Sequence, residues 1–509
     1  MTGSTHTGLG IIPWAQVGGL SGAGDFATYG GTTTFGVNAF QAYATTIATA
    51  AATDTVKLTT AETVAANKTI NALLVSAGAA LQVTINTGVV LSVTAGAVMA
   101  TGTGGQVQIG TAFVSGTTQG TLNFGAAEGV FFVNNSAANT NIDTVVAGTG
   151  GVVIGGANAT TWNTGISPYG GGTTVNAGTV IPTGTAGANF GTGTLTLNGG
   201  SFNPGNALTL SNAVRLNGFV TFASNGTTLT GPIALAGNAF LAGTVTPALA
   251  GAVSGAGALV GVSGTVALGN VNTFAGGTIL ASGTLQLGNN AALGTGTITA
   301  AGGTLQTANM ALTVANPVVV PNTTFNYTDS NNQGHTITFT GPLAVTGNAV
   351  LAGGGNATGP AVFAGAISGT GAVTVTAAAS PSAITFSGAN TYSGGTTLSS
   401  GNVMPAAAGV FGTGPVALNG ATLLAPAAVT LGNAVVVSAS STFTGTNPIT
   451  LTGPVTLTSA PTLTVNTAGG LTLTGPVTES GGSRSLTVGG TGLLTIANPA
   501  AYTGGTTLN

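Results

Sequence analysis

The sequence predicts an all-β chain wound as a parallel β-helix, an elongated β-solenoid expected to be right-handed. Three observations carry that expectation. Apolar residues alternate with Thr, Ser and Asn over long stretches such as "GTLTLNGG", "GTITAAGG" and "GPVALNGA", the period-two pattern of strands that bury one face. Glycine makes up 88 of 509 residues and falls between those stretches, where a corner needs positive φ or close backbone approach. A motif of an aromatic, a small residue, Gly-Gly and Thr returns at Tyr169, Phe274, Tyr392 and Tyr502, at intervals of roughly 110 residues.

Residues 1–45, with "GIIPWAQVGG" and "DFATYG", fit no period and read as an irregular N-terminal cap or junction. Residues 46–155 alternate well and turn at Gly or Asn, which predicts four or five irregular coils. Residues 156–509 carry the large unit, and smaller landmarks subdivide it. "GTG" begins at Gly191, Gly294 and Gly412; "NAV", "NPV" and "NAV" begin at Asn212, Asn316 and Asn433; "GPI", "GPL" and "GPV" begin at Gly231, Gly341 and Gly453. These landmarks advance by roughly 20 to 25 residues, one coil of a solenoid whose turns bury their apolar face only by stacking. Five coils then make one unit. At ~22 residues and ~4.8 Å per coil, the whole would be a rod on the order of 100 Å long.

The motif itself has a physical reading. In "YSGGTTL", Gly394 and Gly395 turn a corner and Thr396 and Leu398 point inward, with Thr397 outward. The same places are held by Gly171, Gly172 and Thr173, by Gly276, Gly277 and Thr278, and by Gly504, Gly505 and Thr506. An inward threonine hydroxyl needs a backbone partner, and a ladder of threonines stacked from coil to coil is one solution.

Composition excludes several classes. Four Lys plus Arg against seven Asp plus Glu leave a net charge of −3 and no basic stripe, so nucleic acid is not an expected partner. Zero cysteines exclude disulfides and thiolate metal sites. No basic segment followed by an apolar run marks a signal peptide after Met1, and both ends read as cuts in something longer. Mean hydropathy is positive, yet the longest uncharged run, "GPIALAGNAFLAGTVTPALAGAVSGAGALVG", is Ala and Gly broken by turn formers rather than a spanning helix. With 5% aromatic and 2% charged residues, a membrane barrel would lack its aromatic girdles and its charged lumen.

The segments "NTFAGGTILASGTLQLGNNAALGTGTITAAGGTL" and "NTYSGGTTLSSGNVMPAAAGVFGTGPVALNGATL", and more weakly the copies at Tyr169 and Tyr502, resemble the autotransporter-associated β-strand repeat of bacterial passenger proteins. The resemblance covers most of the chain. It implies display at, or release from, the surface of a Gram-negative-type bacterium, with an outer-membrane translocator as export partner. The first copy departs from the pattern, with Ser167-Pro168 where the second and third have Asn-Thr.

Chemistry is sparse. Sugar-active β-helices need paired carboxylates or an acidic cluster beside a base. From residue 156 onward the charged inventory is Arg215, Asp329, Glu479 and Arg484. Earlier, Asp54 and Glu62, or Glu128 and Asp143, are not spaced to stack one coil above another. The second unit holds an insertion, "NYTDSNNQGHT", whose Tyr327, Asp329, Asn331 and His335 form a candidate contact loop for a glycan or a cation. One His and one Asp are too few for a metal site. The expectation is therefore no catalytic residue, no cofactor and no metal, in a secreted or surface-displayed structural or adhesive protein. Its expected partners are other copies of itself, assembling into fibres or a surface layer, or surface glycans. The alternatives are an ice- or glycan-binding solenoid, motivated by Thr-X-Thr runs such as "HTITFT", and below it a polysaccharide-active β-helix enzyme.

Overall fold

The structure is a computed structural model and describes residues 11–18, 24–29, 37–111, 119–135, 139–157, 159–162, 167–182, 190–204, 207–223, 226–243, 247–329, 333–353, 360–377 and 383–509. It is all-β, with parallel strands stacked coil on coil as a β-solenoid. The chain divides into two compact units, Met1–Ala252 and Val253–Asn509.

In the first unit the strands β1 (Ile11–Val17), β2 (Asp25–Tyr29) and β3 (Val37–Ala39) form an antiparallel sheet outside the solenoid ladders. Ile11 and Phe26 pack against Ala72, Leu74, Ala97 and Met99 of the coils. The strands Ala72–Ala77, Ala97–Gly102 and Gly129–Asn135 are consequently buried on nearly every residue, which explains why their sequences do not alternate. The junction is tied by the Lys57–Asp25 ion pair at 2.6 Å and by Tyr43, whose hydroxyl accepts from the Phe26 amide. The solenoid ladder begins at Tyr43–Ala44, paired in parallel with Thr55–Leu58. Val56, Leu73, Val98, Phe131 and Ile154 then stack in register at unequal steps.

The second unit is regular. One ladder runs from Thr265–Leu268 to Ala500–Ala501 and another from Leu312–Val314 to Thr506–Leu508. A third stacks Leu259–Gly261, Thr278–Leu280, Ile298–Ala300, Val318–Val320, Leu343–Val345 and Ile367–Gly369. Its line continues through Thr391, which donates to the Ile367 carbonyl. Val416, Val435, Val455 and Val477 stand directly over one another, each one coil of roughly 20 residues after the last. Nearly every strand reads inward, outward, inward, so three-residue strands such as Val455–Leu457 bury two side chains each. Phe325, Phe339, Phe363, Phe386 and Phe411 form a continuous interior column, with neighbouring centroids 5.1 to 5.8 Å apart. Such pairs contribute about 0.5–1.5 kcal/mol each beyond their burial.

One expectation needs correction. The large unit is five turns plus one face, not five turns. Thr278, Thr396 and Thr506 hold the same place in the motif but lie in three different ladders. The unit ends with its aromatic on one face and its threonine on the next, so each copy turns the pattern onto the following face.

Candidate functional site

The repeat motif is a core corner. Tyr169, Phe274 and Tyr392 are fully buried, and Thr173, Thr278 and Thr396 are buried beside them. Inside the strand Thr396–Ser400, Thr396 and Leu398 point in and Thr397 points out, as the alternation predicts. The first glycine of each pair lies against the preceding coil: a Cβ on Gly394 would sit 2.4 Å from the Gly371 backbone, and one on Gly276 2.3 Å from Gly257. The second, Gly395, has φ +86°, a conformation that side-chain-bearing residues resist.

The buried threonine hydroxyl is not satisfied by a threonine ladder. Thr396 Oγ1 donates to the Phe411 carbonyl at 3.0 Å in the next coil, and the Tyr392 hydroxyl lies 2.6 Å from the same oxygen. With its one proton committed, Thr396 accepts from Tyr392. Thr173 repeats this with the Phe190 carbonyl at 3.0 Å and Tyr169 at 2.6 Å, and Tyr502 pairs with Thr506. Burial raises the hydroxyls of Tyr169 and Tyr392 above the ordinary tyrosine range, partly offset by the threonine bond. Where the aromatic is Phe274, Thr278 keeps only a 3.4 Å bond to the Leu293 carbonyl.

The landmarks that measured the coil are bonding partners. Asn433 Nδ2 donates to both glycine carbonyls of the "GTG" one coil earlier, Gly412 at 3.0 Å and Gly414 at 2.7 Å. Asn316 and Asn212 make the same pair of bonds. The glycine of the following "GP" then stacks on the asparagine: a Cβ at Gly453 would lie 2.1 Å from the Asn433 carbonyl oxygen. A second kind of asparagine precedes the aromatic and spans three coils. Asn390 accepts from the Ile367 amide and donates to the Val410 carbonyl, as Asn272 does with Val253 and Ala292. In the first copy Ser167 holds this place, buried and with its hydroxyl unpartnered.

The candidate loop is built differently from its expectation. Tyr327 lies in the strand Thr324–Asp329 with its ring inside the aromatic column, where it cannot touch an external ligand, and its hydroxyl has no partner. Asp329 is buried too: its carboxylate accepts from the Gln333 and His335 amides, from Thr307 Oγ1, and pairs with His335 Nδ1 at 3.1 Å. It holds the backbone at Gln333 and His335 instead of facing solvent. Asn331 lies outside the described residues.

Of the other carboxylates, Glu62, Asp54 and Glu479 also serve the backbone, while Asp143 and Asp25 take side-chain partners. Glu62 accepts from the Ile47 and Ala48 amides and Asp54 from the Ala51 amide. Asp143 accepts from Gln108, and Asp25 pairs with Lys57. Glu479 accepts from the Arg484 amide and from Thr503, whose hydroxyl is the main cause of its lowered pKa. Asp329 and Glu479 occupy one ladder seven strands apart, about 34 Å at the usual strand spacing, so they cannot act on one bond. Among the described residues no group of three or more His, Cys, Asp or Glu could hold a metal.

Outward files of the second unit are small and neutral. Thr430, Thr450, Thr472 and Thr495 form a file one coil apart, flanked along each strand only by inward residues. Another file carries Asn402, Thr422, Thr442 and Thr464. Among the described residues no helix is long and apolar enough to cross a membrane. Compared with protein-family models, with curated proteins and with solved structures, the chain matches none.

Proposed function

We propose that the chain is a non-enzymatic structural and adhesive β-helix, displayed on or released from the surface of a Gram-negative-type bacterium. The observation that carries this reading is the use of its charge. Four of the seven carboxylates, Asp54, Glu62, Asp329 and Glu479, are spent on backbone amides and Asp25 on Lys57, rather than held in the pairs a sugar-cleaving β-helix needs, while long outward files offer only hydroxyls, amides and methyls. Such faces meet carbohydrate or other copies of the chain without stripping water from charged groups. The resemblance of the motif supports the passenger role and the outer-membrane translocator as export partner. A second reading, ice binding, takes its support from the outward threonines Thr430, Thr450, Thr472 and Thr495 in consecutive coils, and thermal hysteresis of the purified chain would favour it.

The test pairs retention with turnover. Purified protein is applied to a glycan array and followed by sedimentation over a concentration series, and retained polysaccharides are incubated with it and assayed for new reducing or unsaturated ends. Retention or self-association without new ends is expected. Release of new ends would overturn the reading, as would neither retention nor association.

A further inference from the structure

One corner of the first unit departs from the neutral pattern. Asn198 Nδ2 donates to Asn176 Oδ1 at 2.8 Å, and Asn217 Nδ2 reaches Asn198 Oδ1 at 3.4 Å, giving a file of amides up three coils. The next coil has Gly237 at this place, and a Cβ there would lie 2.5 Å from Asn217 Oδ1. Just past the corner, Phe219 and Phe240 stand in register on adjacent coils and face outward, 50% and 37% exposed. They are the exposed aromatics among the residues whose burial is described; Phe202 and Phe222 nearby are fully buried. Arg215, which precedes Asn217 on the same strand and the same outward face, is exposed and makes no ion pair among the described residues. It is the single charged residue between Asp143 and Asp329.

We propose that this corner binds an acidic polysaccharide, a chain of uronic-acid residues laid across the coils. A sugar ring has an apolar C–H face suited to an exposed aromatic ring, and hydroxyls suited to a file of amides. The Arg215 guanidinium matches the geometry of a sugar carboxylate, and the nearest acidic residues along the chain are the distant Asp143 and Asp329, each engaged in its own hydrogen bonds. A second copy of the chain is a poorer occupant, because docking a neutral face here would desolvate an unpaired arginine. The inference rests on the adhesive reading and narrows it to one class of glycan.

Calorimetric titration of the whole chain tests it, with hexasaccharides of galacturonate and mannuronate and the fully methyl-esterified galacturonate hexamer as probes. At least one acidic hexamer is expected to bind, and binding should weaken as salt rises. The galacturonate ester should bind about tenfold more weakly than its acid if galacturonate is the hexamer bound. Arg215→Gln should cost acid binding about tenfold, while Phe219→Ala with Phe240→Ala should abolish it; Thr472→Ala should change nothing. Arg215, Phe219 and Phe240 are exposed and Thr472 is half-buried, and unchanged circular dichroism checks that the variants fold.

Failure of both acidic hexamers to bind would overturn the proposal, as would binding indifferent to these substitutions. Retention of other glycans in either case would leave the adhesive reading standing. Self-association lost in the double phenylalanine variant, without uronate binding, would instead assign the corner to contacts between copies and overturn the glycan assignment.

Discussion

Replacing Asn433 by Ala probes how one coil is fastened to the one before. The side chain is 8% exposed and donates to two carbonyls, Gly412 at 3.0 Å and Gly414 at 2.7 Å. Each bond is worth about 1–1.5 kcal/mol net, and alanine leaves both acceptors without this donor, so the local cost is about 2–3 kcal/mol. In an opening equilibrium that is a factor of roughly 30 to 150. A solenoid coil touches only its neighbours, so the loss should stay local rather than spread along the unit. Amide hydrogen exchange reads it: the Val416 amide, bonded to the Ala434 carbonyl, should exchange faster by that factor. The Leu343 amide, bonded to Ala366 several coils away, should hold its rate. Thr430→Ala, at an exposed outward position, is the control expected within about 0.5 kcal/mol of the parent. Unchanged exchange at Val416 in a folded Asn433→Ala chain would refute the fastening role, and acceleration at both amides would refute its local character.

Further outcomes follow from the same packing. Tyr392→Phe removes the donor to Thr396 and should cost about 1 kcal/mol, whereas Tyr327→Phe deletes a buried hydroxyl without a partner and should be neutral or stabilising by about 1 kcal/mol, both measured by urea unfolding. Gly394→Ala places a methyl 2.4 Å from the Gly371 backbone and should cost about 3 kcal/mol or more, while Gly409→Ala, with φ +70° and open space around it, should cost about 1–2 kcal/mol. Tyr169, Tyr327 and Tyr392 have pKa values raised by burial, so their neutral forms stabilise the fold fully below the unfolded tyrosine pKa of about 10 and progressively less above it. Tyrosinate absorbance from these three should therefore appear only together with alkaline unfolding. Glu479 has a lowered pKa, so its contribution is present above the ordinary glutamate range and is lost as pH falls through the folded value. The protection factor of the Arg484 amide, its rate corrected for intrinsic exchange, should fall under acid, and Glu479→Gln should show the same lowered protection at neutral pH.

Most of the architecture was legible because alternation is a local property. Thr396 and Leu398 could be placed inside, and Thr397 outside, from sequence parity alone. Parity was also available for the insertion: Phe325, Tyr327 and Asp329 alternate in one strand, and that pattern already placed all three inward. The polar "TDSNNQGH" context outweighed it. Asn212, Asn316 and Asn433 were legible as rulers but not as clamps, although each follows the first glycine of its "GTG" by a nearly constant step of one coil. Reading a bond from that spacing needs the corner geometry, which periodicity does not supply. The tyrosine–threonine bond was hidden because the second copy has Phe274 in the same place, which made the position look merely aromatic. The advance of the motif by one face per unit was also out of reach. Spacings between successive motif copies are unequal and coils vary in length, so they do not distinguish five turns from five turns and a face. The packing of β1–β3 on the coils left one trace, the unbroken apolar run "ALLV", which reports burial on both faces but not what covers them.

The claim on which the corner network and the neutral outward files both depend is the coil register, and the absence of cysteine makes it directly measurable. Spin labels on cysteines introduced in pairs at Thr430 with Thr472, and at Thr430 with Thr495, report two and three coils of one file. Stacked coils predict backbone separations of about 10 and 14 Å, with label distances rising by about 5 Å between the two pairs. Distances beyond about 25 Å, or the same distance for both pairs, would contradict the stacked register and every assignment built on it.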